Sequence, residues 1–172
     1  MNLNFFNTLD ELKVLVKKNI DSEKEQEENF RQEKEMLELI AKDSRFDDIP
    51  DLLLNEEINK MIQELKQGVE SQGGEFEKYL ESIKKTLADL KLDFSQQALN
   101  RIKAALIVRS VAKKEQLEVD KKEVDAEIDK LAVQYEDEKI KKQIFSPQYR
   151  DYVETMLRNR KVIELLKKEI VK

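Results

Sequence analysis

The chain has no cysteine and no histidine. Disulfides and thiolate chemistry are therefore excluded, and the commonest metal ligands are missing. A reducing cytoplasm is compatible with this. Glycine occurs three times and proline twice, and no Gly-rich loop is present that would cradle a phosphate. No apolar run approaches the roughly 18–20 residues that span a bilayer. The N-terminus lacks the basic stretch and apolar run of a secretory signal. Strand signals are also scarce, since no alternating apolar run is bounded by Asn-Gly or Asp-Gly. The seven serines have no histidine to activate them, and none sits in Gly-x-Ser-x-Gly. Carboxylates such as Asp125 and Asp129 recur at helical spacing, but a di-metal helical site would add the missing histidine. They read as a solvated face. No enzyme activity, metal or cofactor is expected from these residues.

What the chain does have is charge and apolar periodicity. Charged residues make up 40% and apolar residues 40% of it, a balance that favours long helices over a sheet. Thr8 and Glu11 form a capping box by spacing, opening a helix to about Lys42 that is about 50 Å long. Its middle, Asp21 to Glu35, offers only Phe30 as a large apolar residue, so it is expected to be solvated and supported by pairs such as Glu27–Arg31. Pro50 suits the first residue of the next helix. Leu53, Leu54, Ile58, Met61, Ile62 and Leu65 give that helix its stripe, and Gly73-Gly74 ends it. A short helix carries Phe76, Tyr79, Leu80 and Ile83. Thr86 and Asp89 start a long helix to about Gln116, with Leu99, Ile102, Leu106 and Ile107 at helical spacing and Leu106 expected in the core. Asp120 and Glu123 give a capping-box-like start to a helix reaching about Tyr135. Glu136 to Ile144 reads as a short helical turn. Ser146-Pro147 opens the last helix. No repeat period appears, and the broken heptads argue against one extended coiled coil.

Net charge is −5, unevenly spread. Asp43 to Thr86 holds 6 basic and 11 acidic residues, whereas Lys139 to Lys172 holds 10 basic and 4 acidic. A basic end can meet nucleic acid. Here Lys161, Lys167 and Lys168 interleave with Val162, Leu165, Leu166 and Ile170, so a solvated helix exterior is the reading preferred.

The segment RIKAALIVRSVAKKEQLEVDKKEVDAEIDKLAVQYED, residues 101–137, resembles the C-terminal domain of trigger factor, the ribosome-associated bacterial chaperone family. The resemblance extends to NTLDELKVLVKKNI at 7–20, FDDIPDLLLNEEINKMIQELKQGVESQG at 46–73, FEKYLESIKKTLADLKLDF at 76–94 and QYRDYVETMLRNRKVIELLKKEIVK at 148–172. It is a match of pattern and order without a catalytic box. It implies an all-α fold: one elongated multi-helix domain over 1–172, with helical-hairpin arms around a cradle. The long first helix would occupy about 9–42, the arm helices about 50–116, and the second arm and closing helix about 120–172.

The resemblance implies ATP-independent holding of nascent or unfolded polypeptides in the cytoplasm, in protein folding and transport, with no cofactor. The family's ribosome-binding and prolyl-isomerase domains have no counterpart in these residues, so neither ribosome docking nor isomerase activity is expected of them. The expectation is of an excised region of a longer protein rather than a stand-alone relative. Neither nucleic acid nor membrane is expected as a partner, while self-association through uncovered apolar surface is. An alternative is a helical adaptor or structural protein with one defined protein partner. The candidate client-binding residues are Met61, Phe76, Tyr79, Phe94, Phe145, Tyr149, Tyr152 and Met156. Slender arms cannot cover every apolar side chain, and flexible Met or broad aromatic faces suit varied partners.

Overall fold

A computed structural model of the chain describes residues 9–170. Among them 83% are helical, in seven helices and no strand. These are α1 (Leu9–Asp43), α2 (Asp51–Ser71), α3 (Phe76–Ser82), α4 (Leu87–Lys114), α5 (Lys121–Ala132), α6 (Glu138–Ile144) and α7 (Pro147–Ile170).

Local chemistry sets their ends. Thr8, the expected cap of α1, lies outside the described residues. Pro50 stands at the N-cap of α2 rather than inside it. The Thr86 backbone N–H donates to Asp89 Oδ2 at 2.8 Å, and the Asp89 N–H donates to Thr86 Oγ1 at 3.2 Å, completing the reciprocal box that opens α4. At α5 the box is only half made. The Lys122 N–H donates to Asp120 Oδ1, while Glu123 turns instead to Lys161 of α7. Helices α2, α3 and α4 each end in a left-handed residue, Gly73, Lys84 and Gln116 respectively. At the first of these the N–H groups of Gly73 and Gly74 return to the carbonyls of Glu70 and Val69. A side chain at position 74 would come within 2.9 Å of the Val69 side chain, so the corner closes only around glycine.

The apolar stripes meet in two clusters. Ile58, Met61, Ile62, Phe76, Leu90 and Ala98 form one across α2, α3 and α4. Val124, Ile128, Ala132, Ile144, Val153 and Leu157 form the other across α5, α6 and α7. The buried residues outside both clusters are Met36, Ile102, Ile107, Val108 and Val162. They lie on α1, α4 and α7, which pack on one another and join the two halves. Cross-helix ion pairs follow the same joints: Arg101 with Glu57 and Glu64, Lys161 with Glu123, and Lys167 with Glu33. The Lys103 ammonium sits 5.4 Å above the Phe46 ring, pinning the connector between α1 and α2 to α4.

The molecule is extended. Its accessible surface is 14077 Å², against roughly 8,800 Å² for a compact protein of its mass. Two departures from the expected pattern are local. Arg31 pairs with Glu28 and Glu35, not with Glu27. Leu106, expected in the core, is 36% exposed. Ala98 and Ile107 explain why. Nine residues separate them, about half a turn around the helix, and both are buried. Helix α4 packs on α2, α1 and α7 through more than one face, and Leu106 falls between the sides of Ala98 and Ile107.

Candidate functional site

Around the second cluster the chain leaves aromatic surface open. The Asp137 carboxylate accepts the Lys139 N–H at 2.7 Å and starts α6, whose end is marked by Phe145. The Tyr149 N–H donates to Ser146 Oγ at 3.3 Å, so α7 begins one residue later at Pro147. Val153 and Leu157 of α7 turn into the cluster. Tyr152, one position before Val153, is thereby rotated about 100° away, and it is 60% exposed. Phe145 is 57% exposed. Tyr149 and Met156 pack partly buried against the cluster. The Tyr149 and Tyr152 rings are 5.7 Å apart at a 42° tilt, a pair with one ring anchored and one presented to solvent. Val133, Tyr135 and Ile140 add further exposed apolar area on the same segment of chain.

The candidates in the first half are placed differently. Met61 and Phe76 are 4% and 6% exposed and form part of the first cluster. Both are core in this structure and present no surface to a second molecule. Met61 shares its face with Leu54, Ile58, Ile62 and Leu65, the stripe that α2 turns inward. Phe76 opens α3 and stacks on Tyr79 with ring centroids 6.4 Å apart, closing one side of the cluster. Tyr79 and Phe94 are partly buried against it. Six of the eight candidates thus belong to or pack on two separate clusters, and Phe145 and Tyr152 stand exposed outside both.

Some exposed apolar residues were not singled out by sequence reasoning. Leu92 is 75% exposed and lies opposite Leu90 on α4. Leu92, Leu99 and Leu106 are seven residues apart, so they share one side of that helix. Leu52 is exposed at the start of α2, and so is Leu53, expected in that helix's apolar stripe. The available signal was phase: Leu92 and Tyr152 both sit out of register with their helix's buried stripe.

Electrostatics at these surfaces is mostly local pairing. The hydrogen bond that Arg101 donates to Glu64, with the nearby charges of Glu64 and Glu57, holds the Arg101 guanidinium above its ordinary value against partial desolvation. The Thr86 hydroxyl and backbone N–H hold the Asp89 carboxyl below its ordinary value. The basic C-terminal end is partly occupied within the chain. Arg150 meets Asp125, Arg158 meets Glu154, Lys161 meets Glu123 and Lys167 meets Glu33. Among the described residues no group of three or more acidic side chains converges as a metal site would require, and no helix is long and apolar enough to cross a membrane.

Comparison with known proteins gives one consistent answer. A family model described as bacterial trigger factor protein (TF) C-terminus matches residues 8–168. Similar relatives include the trigger factors of Bacillus cereus (strain B4264), Bacillus thuringiensis (strain Al Hakam) and Bacillus mycoides (strain KBAB4). Each is 30% identical over 128 residues, which is 74% of this chain. The matched stretch spans 30% of the length of those relatives. The family model extends from the cap region of α1 almost to the end of α7, and so takes in both apolar clusters and the helices that join them. The chain belongs to the bacterial trigger factor C-terminus family.

Proposed function

We propose that this chain holds unfolded or nascent polypeptides through dispersed apolar contacts, without a nucleotide. Family membership supports a chaperone-type role in general. The observation that carries the finer reading is aromatic and aliphatic surface left open on an extended helical body, with Phe145 and Tyr152 its clearest members. Tyr149 and Met156 lie beside them, and Tyr79 and Phe94 border the other cluster. Met61 and Phe76 are assigned to the core.

Burying client apolar surface against these residues recovers about 25 cal/mol per Å². Association and ordering costs consume most of that gain, so holding stays reversible. Separate small patches suit a client without fixed shape, because each needs only a short apolar segment in reach. The cytoplasm is the proposed compartment. Ribosome docking and prolyl isomerisation are not assigned to these residues, which act as one binding unit.

The test is suppression of aggregation of a chemically denatured model protein by stoichiometric amounts of the chain. The parent chain is expected to suppress light scattering. Replacing Phe145 and Tyr152 together by serine is expected to weaken suppression several-fold with little change in melting temperature, since both side chains are mostly solvated. Absence of suppression by a chain shown to be folded by circular dichroism would sink the reading. Unaltered suppression by the double variant would move the site elsewhere.

A further inference from the structure

The second half of α4 and the middle of α7 enclose an open groove of about 850 Å³. Its α4 side runs from Ala104 to Lys113, about 14 Å along the helix axis. Ala105 and Ala112 line it on α4, with the buried Val108 beneath, and Thr155 and Asn159 line it on α7. Arg109 and Lys113 line it one helical turn apart, and Glu118 and Arg158, the latter paired with Glu154, also line it. Neither Arg109 nor Lys113 has a carboxylate within ion-pair distance among the described residues. That is unlike Arg101, Arg150, Lys161 and Lys167, each of which reaches an acidic side chain on another helix.

The same helix shows, a few turns earlier, how such a face is filled. Ala98 of α4 is fully buried in the cluster that α2 completes, and Arg101 reaches across to Glu57 and Glu64 of α2. Those carboxylates lie seven residues apart, two turns along one side of the seated helix. Ala105 and Ala112 follow Ala98 at successive sevens and so lie on nearly the same side of α4. Beyond Arg101 that side has α7 along one flank, and Ala105 is exposed. Arg109 and Lys113 have no ion-pair partner there among the described residues.

We propose that this groove docks an acidic amphipathic helix from another polypeptide, seated on α4 as α2 is. Its small apolar side chains lie on Ala105 and Ala112, and two of its carboxylates, one or two turns apart, meet Arg109 and Lys113. Helix fits better than extended chain because two cations at i and i+4 match the rise between carboxylates at the same spacing. Alanines along α4 also let two helix axes approach closely. This inference is independent of the client-holding reading, because it uses neither Phe145 nor Tyr152.

The experiment is fluorescence anisotropy on the whole chain at low salt. The probe is a fluorescein-labelled peptide of roughly four helical turns, with an Ala/Leu face and glutamates at i, i+4 and i+7. One counterpart carries lysine for each glutamate, and a second carries a central proline. The acidic helical probe is expected to bind best and to weaken as salt is raised. Arg109→Glu with Lys113→Glu is expected to reduce its affinity at least about tenfold. Ala105→Phe is expected to block it sterically, its site being open to solvent in the free chain. Lys121→Glu with Lys122→Glu makes the same change of net charge away from the groove and is expected to leave binding intact. Equal binding of the acidic and lysine probes would overturn the proposal, as would parent-like affinity in both groove variants or undiminished binding of the proline probe. A dimer of the chain that dissociates on Arg109→Glu with Lys113→Glu would also overturn it, by showing the groove to be filled by a second copy. Loss of aggregation suppression in the Phe145 and Tyr152 double variant, with peptide binding kept, separates failure of one reading from failure of the other.

Discussion

Ile102 and Leu106 stand one helical turn apart on α4 and differ in what surrounds them. Ile102 is 6% exposed, whereas Leu106 has solvent on one side. Truncation of Ile102 to alanine is expected to cost about 2–5 kcal/mol, because the lost transfer energy is joined by a cavity among packed neighbours. Leu106→Ala is expected to cost clearly less, since water already reaches the site. Chemical denaturation of the two variants checks the order, and equal losses would show that Leu106 is packed after all. A second residue-scale expectation concerns acid. The Arg31 guanidinium, aided by Gln32, holds the exposed Glu28 carboxyl down from the ordinary 4.5 to about 2. A depressed carboxylate stabilises the folded state above its unfolded value. That contribution therefore falls away as pH drops from about 4.5 towards 2. Carboxyl-detected NMR is expected to place the Glu28 titration well below those of other exposed glutamates, and Arg31→Ala is expected to move it back up. An unchanged titration in that variant would show that the ion pair is not formed in solution.

Elements differ in how much of their pattern the sequence disclosed, and the difference is physical. Helix α2 packs through one face, so Leu54, Ile58, Met61, Ile62 and Leu65 spell that face directly, and Met61 was readable as core from its company. The reciprocal cap of Thr86 and Asp89 was equally legible, because it depends on four consecutive residues. Helix α4 was harder. Its apolar residues lie all around it because α1, α2 and α7 each claim a side, and no single-stripe template describes that. The aromatic candidates failed to sort for the same reason. Phe76 and Phe145 have the same side chain, and only the neighbouring helices decide that one is enclosed and the other open. Helix α1 carries its own expectation. It is about 52 Å long, yet from Asp10 to Gln32 only Leu12 is even partly covered. Helices without packing are marginal in water. Backbone amides between about Lys17 and Glu28 are expected to exchange orders of magnitude faster than those around Ile102. Comparable protection in the two regions would mean that α1 is covered in solution.

At the scale of the whole molecule, there are two small cores built from different helices. The first contains residues of α2, α3 and α4, and the second residues of α5, α6 and α7. What joins them is the packing of α4 and α7 on one another and on α1. Cooperativity passes through that joint alone, so global unfolding is expected to be less than all-or-none. Val124→Ala is expected to lower protection across α5 to α7 while leaving Ile58 and Ile62 nearly unaffected. Met61→Ala is expected to do the reverse. Native-state hydrogen exchange reads both, and uniform loss of protection in either variant would show a single cooperative unit. The separation also matters over evolutionary time. A lineage can lengthen, shorten or re-sculpt one lobe by insertion or drift without disturbing the packing of its neighbour. Descendants of such a chain can thus diverge in reach and grip while inheriting the same backbone plan, which is compatible with relatives that agree at three positions in ten.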